Sequence, residues 1–234
     1  LVESPVHRSG RIDELLVNID PEDPSQDLYL RGLFTYRAVT QPSRHVPILR
    51  RVLAEVLEKQ DTEPGSYRYK GLANVFDSLP TELLFTANVE TINEMVDLVF
   101  QTEQVSEVGV TFVPAGHAGA FCVVSMPKNQ YSDELARQVE RTIVSQLDST
   151  YSDFGMFVGR YDTVLLHYYV TGARKASVEA LQKLSEAIRE MALPWHAHLW
   201  SALAESCDED QAVRLADTYG NAFPESYMRR TSPS

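Results

Sequence analysis

The stretch 120-AFCVVSM-126 constrains the fold more than any other, because it is apolar on both faces of a strand: Cys122, Val124 and Met126 on one, Phe121 and Val123 on the other. Side chains alternate across a strand with a period of two, so such a strand must be covered twice. An open sheet with helices on one side would leave one of these faces wet, and the second face is expected to meet another domain or subunit. Upstream, 107-EVGVTFV-113 alternates in the same way, and 114-PAGHAG-119, with its proline and two glycines, marks a hairpin loop between the two runs. Downstream, 131-YSDELARQVERTIVSQL-147 carries Leu135, Val139, Ile143 and Leu147 at every fourth position, with Ser132 or Asp133 as N-cap. Two more strands follow at 153-DFGMFVG-159 and 162-DTVLLHYYV-170.

Before the hairpin, 28-LYLRGLFTYR-37 alternates through Leu28, Leu30, Phe34 and Tyr36, and 42-PSRHVPILRRVLAEVLEK-59 places Leu49, Val52, Leu53, Val56 and Leu57 on one helical face. Two helices over 69–79 and 81–101, divided at Pro80, form a helical insertion. Leaving aside that insertion and the last strand, the order is βαββαβ, a ferredoxin-like α+β fold with an antiparallel sheet and helices on one face. Residues 1–27, with 20-DPEDPSQD-27 and a short helix at Ile12 to Val17, read as a linker or mobile arm. The expected organisation is that arm, an α+β domain over 28–192, a C-terminal helical segment over 193–230 and a tail at 231–234.

The chain carries a net charge of -12 and concentrates arginine only in 44-RHVPILRR-51, which argues against a nucleic-acid partner. Its longest apolar stretches fall far short of the ~20 residues of a spanning helix, and no signal segment opens it. Two cysteines, Cys122 and Cys207, make no disulfide framework, and a cytoplasmic location is expected. An opening at Leu1 and a polar 231-TSPS-234 read as a piece of something longer.

No nucleotide, nucleophile or metalloprotease motif is present, so no catalytic, cofactor-binding or metal-ligating residue is assigned. His117 lies in the hairpin loop while Cys122 shares its strand face with Val124 and Met126, which makes Cys122 a structural cysteine rather than half of a Cys-His pair. His196 and His198 stand two apart on a helix, whereas a helical metal site needs three or four. His167 reads as a core or interface histidine, the acids Asp208, Glu209 and Asp210 as helix-start charges, and Trp195 and Trp200 as packing anchors. Arg44, Arg50 and Arg51 form either a solvated helix face or a cluster that binds an anion or a domain partner. One candidate site stands out: 37-RAVTQPS-43 leads into a helix N-terminus, where free backbone N–H groups, Thr40, Ser43 and the neighbouring Arg44 could hold a small acid as effector. The alternative at the same residues is a turn and N-cap with no ligand.

The segments 32-GLFTYRAVTQPSRHVPILRR-51, 127-PKNQYSDELARQVE-140, 195-WHAHLWSAL-203 and 216-ADTYGNAFPESY-227 resemble, in order and spacing, the N-terminal half of the large bacterial NAD-specific glutamate dehydrogenases. The family pattern runs G-L-F-T, a Pro-rich turn into I-P-L-L-R-R, P-R-D-x-Y at a strand end, then W-x-x-x-L and A-F-P-x-x-Y. The sequence departs from it at 66-SYRYKGL-72 and 80-PTELLF-85, where the family has S-H-D-G-K-A-L and P-R-D-E-L-F. The resemblance implies an ACT-type module with no catalysis of its own, serving regulation and assembly. It implies a homo-oligomer, an amino-acid effector and a catalytic domain in the same parent chain. NAD and the oxidation of L-glutamate belong to that parent. A structural spacer that binds nothing small is the alternative.

Overall fold

The computed structural model describes residues 12–35, 37, 40–105, 107–115, 119–159, 162–171, 176–228, 231 and 233. The chain divides into two compact units, residues 1–50 and 51–234. In the first, β1 (Asp13–Val17) pairs antiparallel with β2 (Leu28–Gly32), with Leu15 opposite Leu30. The helix expected over 12–17 is instead a strand over 13–17: a stretch this short fits either form, and 28–32 supplies the ladder that decides it. Asp23 accepts from the Ser25 N–H (3.1 Å) and the Gln26 amide (2.8 Å) to cap a 3-10 turn, Pro24–Gln26, in the connection. The strand expected over 28–37 stops at Gly32; Tyr36 lies outside the described residues. A second 3-10 turn, Ser43–His45, precedes α1 (Pro47–Lys59), whose residues run across the boundary between the units.

Helices α2 (Tyr67–Ser78), α3 (Thr81–Thr86) and α4 (Val89–Val105) follow. The single helix expected over 81–101 is broken in two because Ala87 is extended and the Asn88 side chain accepts the Thr91 N–H at 2.8 Å, capping a new helix. Leu83, Ile92, Met95, Val96 and Phe100 are buried, and Gly71 leaves room for the Phe100 ring.

Strands β3 (Gly109–Ala115), β4 (Gly119–Pro127), β5 (Ser152–Val158) and β6 (Thr163–Thr171) form one antiparallel sheet in the order β3-β4-β6-β5. Helix α5 (Asp133–Gln146), capped by Ser132, joins the parallel pair β4 and β5 around β6 in a split βαβ unit. Helix α6 (Val178–Met191), capped by Ser177, returns from β6 to pack on β3. The sheet has the expected antiparallel α+β architecture, but its strands enter as ββαββα. The last expected strand, at 163–171, is central, and 28–32 pairs elsewhere. A signal for this was present: 163-TVLLHYYVT-171 is apolar on both faces, as a central strand must be.

Ala120, Cys122, Val124 and Met126 of β4 and Val164, Leu166, Tyr168 and Val170 of β6 pack against Val139 and Ile143 of α5 and Leu184 and Ile188 of α6. The buried Tyr168 hydroxyl donates to the Ala136 carbonyl at 3.0 Å, tying sheet to helix. On the opposite face, α4 covers β3 and β4, and the buried Thr102 hydroxyl donates to Ser125 Oγ at 2.8 Å. The second face of 120–126 thus meets a helical segment of the same unit, and all nine residues of β4 are buried. Beyond the sheet, α7 (Trp195–Ala204) and α8 (Glu209–Tyr219) pack together, and a short α9 (Glu225–Met228) follows. Trp195 stacks edge-on to Phe223 at 5.2 Å and donates to the Thr231 carbonyl at 2.8 Å, whereas Trp200 is 39% exposed and anchors less than expected.

Candidate functional site

Thr40 and Arg44 are exposed and Ser43 between them is buried. Ser43 opens its own 3-10 turn, closed by the Val46 N–H on the Ser43 carbonyl at 3.0 Å, and extended Val46 intervenes before Pro47. The first N–H groups of α1 that are free of that turn belong to Ile48 and Leu49, since proline has none and the Arg50 N–H already donates to the Val46 carbonyl at 2.8 Å. The turn thus separates Ser43 from the helix terminus in sequence. The Arg44 guanidinium donates to His45 Nε2 at 3.3 Å, and Arg51 pairs with Glu55 one turn on, at 3.3 Å.

His117 lies outside the described residues. Cys122 is fully buried in the sheet core, and burial pushes its thiol far above the usual value, so no thiolate forms there. His167 faces Gly155 across the β5–β6 ladder, and a side chain at 155 would overlap the imidazole ring. Burial pushes the His167 pKa down to about 4, against the opposing charge of Asp153, so the ring is neutral at pH 7. His196 is exposed on α7, and Asp208 caps α8 by accepting the Gln211 N–H at 2.9 Å. Among the described residues no group of three or more His, Cys, Asp or Glu could hold a metal ion.

The turn from β4 into α5 is not built for a dinucleotide. Nucleotide folds place the pyrophosphate at a glycine-rich turn leading from a parallel strand into a helix. Here the sheet is antiparallel, and β4 leaves for α5 through Pro127 and a 3-10 turn, Lys128–Gln130, that contains no glycine.

Among the described residues, one margin of the sheet carries large exposed apolar side chains. At the β3 edge, Arg189 of α6 donates to the Val110 carbonyl at 3.2 Å. At the β5 edge, Phe154, Met156, Phe157 and Val158 are 42–49% exposed. Phe154, Met156 and Val158 lie on the helix-covered face and Phe157 on the other, as their partners Tyr168, Leu166, Val164 and Leu165 show. An edge strand with large apolar side chains on both faces and one charge, Asp153, is a template for pairing.

Three models of the glutamate dehydrogenase family match the chain: helical motif 1 over residues 46–104, the ACT2 domain over 116–196 and helical motif 2 over 202–234. These correspond to the helices leading up to the sheet, the sheet from β4 onward with α5 and α6, and the chain from the end of α7. Among curated relatives, the NAD-specific glutamate dehydrogenase of Halomonas elongata is 26% identical over 199 residues, covering 84% of this chain and 12% of its own length. That of Pseudomonas aeruginosa is 20% identical over 205 residues, covering 86% and 13%, and that of Mycobacterium tuberculosis 25% over 222 residues, covering 87% and 13%. The chain spans about an eighth of the length of the curated relatives it matches. With both helical motifs and the ACT2 domain in one order along it, the chain belongs to the large NAD-specific glutamate dehydrogenases.

Proposed function

We propose that this chain is a non-catalytic regulatory and assembly region of a cytoplasmic NAD-dependent glutamate dehydrogenase, built to join copies of the enzyme through its sheet. On this reading the parent oxidises L-glutamate with NAD and water to 2-oxoglutarate, ammonium and NADH, in a catalytic domain of the same parent chain. The observation that carries the assembly role is the bare β5 edge. Its occupant is a second copy of the same strand. Antiparallel self-pairing centred on Gly155 sets Phe154 against Met156 and Asp153 against Phe157, so apolar groups meet and no two charges face each other. Light scattering across a concentration series tests this. The 26.4 kDa chain is expected to double in mass, and Met156→Lys with Phe157→Lys to restore the monomer; a wild-type chain that stays monomeric at high micromolar concentration overturns the β5 pairing.

The effector reading of Thr40, Ser43 and Arg44 rests on the exposure of Thr40 before the turn and of Arg44 within it. Thermal unfolding against the amino acids and 2-oxoglutarate tests it. A ligand at a hundredfold excess over its dissociation constant adds about 2.7 kcal/mol, and Thr40→Ala with Ser43→Ala is expected to remove the shift. A shift unchanged in that double variant excludes this loop, and no shift with any compound favours a structural spacer.

A further inference from the structure

The end of α4, the start of β3 and the last turns of α6 enclose a crevice of about 570 Å³. That is within the range of small-molecule sites. Two arginines line it in a chain of net charge -12. They are not equivalent. The Arg68 guanidinium is committed: it donates to Gln60 Oε1 at 2.8 Å, lies 3.8 Å from Asp97 and sits 5.1 Å from the centre of the Phe100 ring. Arg189 spends one N–H on the Val110 carbonyl at 3.2 Å and has no ion-pair partner among the described residues. Leu98, Val105 and Val108 give the crevice an apolar wall, and Val105 is 59% exposed on it. Glu107 also lines the crevice without pairing with either arginine.

We propose that this crevice binds a small organic acid, its carboxylate on the Arg189 guanidinium and its apolar body against Leu98, Val105 and Val108. A planar guanidinium with donors to spare matches a carboxylate in a way a lysine does not. The apolar wall selects for a hydrocarbon side chain over a bare dicarboxylate. An α-amino acid and its 2-oxo acid share this chemistry, and Glu107 is placed in the same crevice to favour the ammonium of the former. The site lies apart from Thr40, Ser43 and Arg44 in sequence and stands whether or not that loop binds anything. Its occupant would bridge α4 to α6, adding to the Thr102–Ser125 hydrogen bond at 2.8 Å and the Thr163–Glu103 hydrogen bond at 3.0 Å that already join motif and sheet.

Calorimetric titration of the 234-residue chain with L-leucine, 4-methyl-2-oxopentanoate and 3-methylbutylamine separates the arms. Saturable binding of one or both acids is expected, and none of the amine, which lacks the carboxylate. Preference for leucine assigns the ammonium to Glu107; preference for the oxo acid assigns the site to 2-oxo acids. Arg189→Met is expected to weaken binding about tenfold or more. Val105→Trp, which fills the crevice from an exposed position, is expected to do the same should Arg189→Met fail to fold. The proposal is overturned by no saturable binding of either acid at millimolar concentration, by amine binding as tight as the acids, or by wild-type affinity in a folded variant of Arg189 or Val105.

Discussion

Strands β4 and β5 belong to one sheet, are both apolar on both faces and each carry a methionine on the helix-covered side, yet Met126 is fully buried and Met156 is 46% exposed. The difference is position. β4 has β3 and β6 as neighbours, α5 and α6 over one face and α4 against the other. β5 has β6 on one side and, among the described residues, no strand on the other. Similar side chains therefore hold the domain together in one strand and leave it open to a partner in the other.

Truncating the two methionines breaks the comparison most sharply. Met126→Ala is expected to cost about 2–5 kcal/mol in denaturant unfolding, whereas Met156→Ala, measured where the chain is monomeric, should cost less than about 0.5 kcal/mol. Comparable losses at both sites would mean that β5 is covered within the chain.

His167 comes next, on β6 between the two strands. Its folded pKa of about 4 lies below the usual value near 6.5, so the unfolded chain takes up the proton first. The stabilisation from a neutral ring is complete above pH 6.5 and is lost as pH falls toward 4, by roughly 1–3 kcal/mol. Unfolding of wild type and His167→Gln between pH 7 and 4 reads this directly: the substitution should flatten the acid limb, and parallel profiles would show the ring to be solvated.

At the α4 seam, Thr102→Val leaves Ser125 Oγ buried without that donor and is expected to cost about 1 kcal/mol, much of it recovered when Ser125→Ala is added. The smallest effect is at Glu103. Its half-buried carboxyl accepts from Thr163, but burial dominates and raises its pKa above the usual 4.5. The folded state therefore favours the protonated form, an advantage present below that value and lost as pH rises through the folded pKa. Glu103→Gln should then raise the melting temperature slightly at pH 7 and leave it unchanged at pH 4; a lower value at pH 7 would mean that the charged form is favoured.

Much of the sheet domain was legible residue by residue. The hairpin of β3 and β4, the Ser132 cap of α5 and the strand 163–171 are local signals, written in alternation, capping chemistry and turn residues. The break at Asn88 was also written locally, in a residue that competes with helix for its own backbone. The segment 13-DELLV-17 was not legible, because three adjacent apolar residues fit a short helix or a strand until a partner chooses. In the candidate loop, sequence supplied Thr40, Ser43 and Arg44, but not the 3-10 turn that sets Ser43 apart from the helix. Arg68 and Arg189 carry no shared motif, and only the packing of α4 and α6 about β3 brings them to one crevice.

The sequence by itself determined that these segments are strands and helices of an antiparallel α+β domain, that 120–126 needs cover on both faces, and that the ordered motifs resemble the large glutamate dehydrogenases. Periodicity is a property of neighbours along the chain, and it survives without knowing what a segment packs against. Only the tertiary structure decided that 163–171 sits between β4 and β5, that 28–32 pairs with 13–17, and that α4 covers the second face. Pairing and coverage are settled by which surfaces bury the most apolar area together, a competition among distant segments that a local pattern can signal but does not decide.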